Sequence, residues 1–159
     1  MTLRRYTPMI TRLMGVYEEN YKRLEWFLPE TNCLTEGQEI VTGDQLTRFT
    51  VKEKHRFTTL VEIEHRTDLS VPKLNRIQFL AKLSHDARVA EVVRYQGQGQ
   101  FREHYARPNP NMYQVNEKEL SNFFLYECLK YWMESELEKI ALDLNAAVVE
   151  RSHPTRQEK

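Results

Sequence analysis

The chain has 159 residues, 29% of them charged and 40% hydrophobic, with 23 Lys plus Arg set against 23 Asp plus Glu. That length supports one domain with its own core, without disulfide or metal staples. A formal charge of zero gives no field to draw in nucleic acid or an anionic membrane, and no apolar run approaches the ~20 residues of a membrane span.

The first predicted element is a helix. Thr7 serves as N-cap and Pro8 suits the first helical position, where its missing N–H is no loss. Ile10, Leu13, Met14, Tyr17, Tyr21, Leu24 and Phe27 recur at three- and four-residue steps as one apolar face, and Pro29 ends the helix. Arg12, Glu18, Glu19, Lys22 and Arg23 make the solvated side. The charged opening is followed by no apolar run, so nothing there resembles a secretory leader, and a cytoplasmic protein is expected.

From Glu36 to Tyr105 the apolar period changes to two, the spacing of half-buried strands. Strands are predicted over Glu39–Thr42, Leu46–Lys52, Phe57–His65, Ile77–Leu83, Arg88–Tyr95 and Phe101–Tyr105. In the third, Phe57, Thr59, Val61 and Ile63 share one face and Thr58, Glu62 and Glu64 the other. The fifth is apolar enough at Val89, Ala90, Val92 and Val93 to be covered on both faces. Gly43-Asp44, with a glycine that tolerates positive φ, makes the first reversal, and Gly97-Gln-Gly99 turns the chain into the sixth strand. Such short turns join antiparallel neighbours, whereas parallel pairing needs crossovers of about a dozen residues or more.

A Pro- and Asn-rich loop over residues 107–112 precedes the last helix, which Asn116 caps with Glu119 three positions on. Leu120, Phe123, Phe124, Cys128, Tyr131, Trp132 and Ser135 follow helical spacing. The fold predicted is α+β: a six-stranded antiparallel meander sheet packed by an N-terminal and a C-terminal α-helix. Residues 1–146 form the single domain and residues 147–159 a flexible polar tail.

Cys128 reads as a small buried hydrophobe within the helical stripe. Its pairing with Cys33 in an oxidising compartment stays open.

Several separated motifs resemble the YqiB-like family of small bacterial proteins, a domain of unknown function. They are Arg5-Tyr-Thr-Pro8, Arg56-Phe-Thr-Thr-Leu-Val61, His85-Asp-Ala-Arg-Val-Ala-Glu-Val92, and Pro108-Asn109 with Met112, Gln114 and Glu117-Lys118 leading into Asn122-Phe-Phe-Leu125. The resemblance runs from Tyr6 to Trp132. It implies a small soluble cytoplasmic fold and brings no activity. Where the family commonly has Asp-Glu-Lys before its final helix, this chain has Asn116-Glu-Lys118, which keeps a capping role.

Two surfaces stand out as candidate sites. His85, Asp86 and Arg88 place an imidazole, a carboxylate and a guanidinium on one tight turn, the materials for acid–base work or an anion clamp. A turn held by Asp86 and its own backbone explains the same residues. Tyr105, Arg107, Asn109, Glu117 and Lys118 form a stiff polar surface beside a helix N-terminus, suited to a protein partner or a phosphate.

Glu62, Glu64 and His65 are the nearest approach to a metal set, but alternation puts the glutamates on a solvated face, and no metal or cofactor is expected. The aromatics fall on core-phase positions, which argues against nucleic-acid stacking. No catalytic set is recognisable. The reading is a non-enzymatic interaction or regulatory protein, with an unknown protein partner and homodimerisation through an edge strand or the last helix both open. The alternative is a small-ligand binder or unrecognised enzyme with a pocket between sheet and C-terminal helix.

Overall fold

The computed structural model describes residues 10–28, 30, 33–67, 76–97 and 110–152. Helix α1 spans Ile10–Phe27. Strands β1 (Glu39–Val41), β2 (Thr47–Lys54), β3 (Thr58–Arg66), β4 (Arg76–Ser84) and β5 (Val89–Gly97) follow, and helix α2 spans Pro110–Ser152. The strands pair in chain order, each antiparallel to the next.

The two-residue period sets the layers. Phe49, Val51, Val61, Ile63, Phe79, Ala81 and Leu83 all point to one face and are almost completely buried. Leu24 and Phe27 of α1, Leu28 just after it, and Leu125, Leu129 and Trp132 of α2 close that face. Phe27 stacks on Phe49 with ring centroids 5.0 Å apart. Phe79 lies between Tyr95 and Phe124 at 5.0 and 5.6 Å. Removing a ring so placed costs about 3–5 kcal/mol through lost contacts and the cavity left behind. The opposite sheet face is polar and carries cross-strand ion pairs, among them Lys52–Glu62 at 3.4 Å and Arg76–Glu64 at 2.6 Å.

Several expectations are corrected. The sheet has five strands among the described residues, not six. Gly97 pairs with Ile77 and ends β5, and Gln98 and Gly99 of the predicted turn lie outside the described residues. The predicted sixth strand, Phe101–Tyr105, lies outside the described residues, as do the predicted cap Thr7, Pro8 and the stop Pro29. β5 is not covered on both faces. The register slips as Leu80 pairs with Arg94 but Ala81 with Val92, so Val93 bulges outward and is 52% exposed. Phe57 precedes β3 and is exposed where alternation placed it in the core.

In the β1–β2 hairpin the left-handed residue is Gln45 (φ 62°), and Gly43 matters for a different reason. A β-carbon on it would sit 3.4 Å from the Glu136 carboxylate of α2, which its backbone N–H approaches. Helix α2 begins at Pro110, six residues before the predicted cap, because proline is pre-set for the first helical turn. Asn116 is therefore interior. The helix continues without a break to Ser152, past residue 146, and every residue from 137 to 151 is exposed.

The helices also protect the sheet's long edge. Val92 N–H donates to Asn122 Oδ1 at 2.8 Å, and Asn122 Nδ2 donates to the Lys118 carbonyl at 2.7 Å. Asn20 Nδ2 of α1 donates to the Asn122 carbonyl at 3.3 Å. Both asparagines are fully buried. The other edge, β1, is blunted by its three-residue length.

Candidate functional site

Residues 85–88 close the β4–β5 hairpin, with Ser84 paired to Val89. The loop ends on Arg88 at φ 54°, a left-handed conformation that costs a non-glycine residue about 1 kcal/mol. Long-range contacts hold it. His85 N–H donates to the Phe57 carbonyl at 2.9 Å, tying this turn to the β2–β3 turn. Arg88 donates to Glu25 of α1 at 3.2 Å, and its guanidinium lies 5.9 Å from the Tyr21 ring centre.

The His85 ring is occupied at both nitrogens. Nδ1 lies 3.0 Å from the Tyr21 hydroxyl and Nε2 lies 2.7 Å from Thr59 Oγ1. A neutral imidazole has one donor and one acceptor nitrogen. The phenol is the more acidic hydroxyl, which assigns Tyr21 as donor to Nδ1 and Nε2–H as donor to Thr59. Tyr21 is 3% exposed and Thr59 fully buried. Burial, and secondarily the Lys54 charge, hold the imidazole below its ordinary value, while Glu25 and Asp86 oppose that more weakly. The arrangement is a neutral Tyr–His–Thr bridge from α1 across the end of the sheet. Asp86 is exposed at the loop tip.

Lys118 lies on α2 and its ammonium pairs with Glu91 of β5 at 3.1 Å. It also acts electrostatically on Tyr17 of α1, whose hydroxyl burial pushes upward. Tyr17 and Tyr21 are one helical turn apart, so the His85–Arg88 turn and Lys118 border the same flank of α1. Glu117 is on α2, with its side chain outside the described residues. Tyr105, Arg107 and Asn109 lie outside them altogether.

The glutamates and histidine weighed as metal ligands do not converge. Glu64 pairs with Arg76 and Arg66 on the polar face, whereas His65 stacks on Trp132 at 4.7 Å on the core side and bonds Thr47 Oγ1 at 2.8 Å. Among the described residues no group of three such side chains could hold a metal ion.

The space between sheet and α2 is filled by Phe79, Tyr95, Phe124, Leu125 and Leu129. A depression on the polar face, bordered by Glu62, Gln78, Leu80 and Arg94, is too shallow to enclose even a water molecule and so is no small-ligand pocket. Cys33 is an exposed free thiol. Cys128 is also free, and burial pushes it up to about 12.

Sequence reasoning missed the buried asparagines, the Tyr21 and Thr59 partners of His85, and the second His–Thr pair. Thr47 and His65 are direct cross-strand partners, so strand register could have found that pair. The Asn20–Asn122 contact bridges residues 102 apart and leaves no local signal.

The family model described as "Protein of unknown function (DUF1249)" matches residues 23–138. The "Uncharacterized protein YqiB" of Escherichia coli strain K12 is 33% identical over 129 residues, covering 81% of this chain and 91% of that protein. Its counterpart in Escherichia coli O157:H7 gives the same figures. No solved structure matches. No helix among the described residues is long and apolar enough to cross a membrane.

Proposed function

The chain belongs to the DUF1249 family of proteins of unknown function, and on that premise we propose that it is a non-enzymatic interaction or regulatory protein of the cytoplasm. The observation that carries this reading is the occupancy of His85. With Tyr21 on one nitrogen and Thr59 on the other, the imidazole at the candidate site already has protein partners at both positions, one of which a substrate would have to displace. Its chemistry is structural.

The exposed groups around that bridge have the character of a recognition surface. Phe57 is 54% exposed, with the Arg56 guanidinium 5.2 Å from its ring centre. An accessible aromatic with arginine over it is the composition that anchors interfaces. The His85 N–H bond to the Phe57 carbonyl ties the turn that carries Asp86 and Arg88 to this residue, and Lys118 pairs with Glu91 further along β5. The sequence assigns Tyr105, Arg107, Asn109 and Glu117 to the same contact surface.

The test is affinity recovery with the full chain as bait. A partner retained by the wild type and by Arg48→Glu, a control on the polar sheet face, is expected to be lost with Arg88→Glu and Arg107→Glu. Equal recovery with all four baits would overturn the reading.

A further inference from the structure

We propose that the exposed arm of α2, residues 137–151, pairs antiparallel with the same arm of a second copy of this chain, centred on Leu144. At about 100° per residue, Leu137, Ile140, Ala141, Leu144, Ala147 and Val148 fall on one stripe about 120° wide. Leu137 and Ile140 are each 46% exposed, Leu144 62% and Val148 64%. The stripe starts where the domain ends, at the turn of helix whose Glu136 and Lys139 lie over the Gly43 hairpin. A helical segment this short is marginal in water unless its apolar side is covered, and soluble monomers rarely display a contiguous apolar patch of this kind.

Charge decides the occupant and its direction. One rim of the stripe carries Glu136, Lys139, Asp143 and Glu150, the other Glu134, Glu138 and Asn145. Antiparallel pairing about Leu144 sets Ile140 level with Val148 and Ala141 with Ala147. It brings each Lys139 to the second copy's Glu150 on the same rim. Arg151, at the end of the stripe, falls opposite Leu137 and between Glu134, Glu136 and Glu138. The like-charge contact on this rim is Asp143 with its own counterpart near the axis. Parallel pairing does worse, because it sets Arg151 against Arg151, leaves Glu136 and Asp143 facing Ala141 and Val148, and aligns the two helix dipoles.

Four large and two small apolar side chains per copy remove on the order of 1,000 Å² from water, the low end for a specific interface. The dimer is therefore reversible, with a micromolar dissociation constant. The family match ends at residue 138, so all of the arm but its first two residues lies outside the matched region. The pairing is independent of the recognition surface proposed above.

Sedimentation of the full chain from low to high micromolar concentration tests it. The mass is expected to rise from 19.1 kDa toward twice that value. Leu144→Glu, which puts two carboxylates on the axis, weakens association by about 100-fold or more. Its site is exposed, and an unchanged circular dichroism spectrum will confirm that the domain is intact. Lys139→Glu and Glu150→Lys each weaken the dimer, and the two together restore it. A mass of 19.1 kDa at every concentration, a dimer indifferent to Leu144→Glu, or a double swap that fails to restore association would each overturn the proposal.

Discussion

The two halves of α2 are built on the same spacing and have opposite fates. Over residues 122–132 the apolar positions Leu125, Leu129 and Trp132 are sealed against the sheet, with Asn122 fastening the helix to β5. Over residues 137–151 the periodicity persists while every residue is exposed. Periodicity reports which side of a helix seeks cover. Whether cover exists is a tertiary fact, set here by where the sheet stops, at the β1–β2 hairpin.

The sharpest break of that comparison is a matched pair of truncations. Leu129→Ala is expected to destabilise the domain by about 2–5 kcal/mol, because it leaves a cavity in a filled core. Leu144→Ala is expected to stay within about 0.5 kcal/mol in the monomer. Urea unfolding at low protein concentration, followed by circular dichroism, measures both, and equal effects would show that the arm is packed.

A smaller effect sharpens the role of the sealed half. Asn122→Ala leaves the buried Val92 N–H without its partner, while the Lys118 carbonyl keeps the Ser121 hydroxyl and the Asn20 bond to the Asn122 backbone survives. Stability should fall by about 1–3 kcal/mol for that one stranded donor. A change indistinguishable from zero would mean that water reaches this edge.

The smallest expected effect is a pH dependence confined to the domain. The folded state favours neutral His85, so its contribution is fully present above the ordinary imidazole value of 6.5 and is lost as the pH drops below it toward the lower folded value. Urea midpoints measured on both sides of 6.5 should therefore diverge in the wild type and converge in His85→Gln. A divergence unchanged by the substitution would assign the titration elsewhere.

Much of the frame was legible because burial and spacing agree. Thr59, Val61 and Ile63 on β3, with Phe79, Ala81 and Leu83 on β4, turn inward as alternation requires. The predicted α1 face holds at Tyr21, Leu24 and Phe27 and shifts toward the N-terminal end of the helix. Val16 and Asn20 are buried while Met14 is 42% exposed, since α1 must serve both α2 and the β5 edge. No residue-by-residue scale puts a buried asparagine in that role. The β5 bulge hid for a related reason, because two adjacent valines, Val92 and Val93, do not say which one the partner strand will skip. At the candidate site the turn was legible and its purpose was not. His85 beside Asp86 reads as chemistry until Tyr21, 64 residues away, is seen holding the ring.

The asparagine clasp also constrains how this molecule comes into being. Asn20 and Arg23 of α1 bond Asn122 and Tyr126, partners 102 and 103 residues further along. At about 5–20 residues per second of synthesis, the first helix waits many seconds on the ribosome for the segment it must grip. Through that interval the hairpins can assemble in the order they emerge, while the last-made strand keeps a bare flank. The nascent chain thus has a late, vulnerable step written into its topology, and closure waits until Asn122 and Tyr126 have emerged.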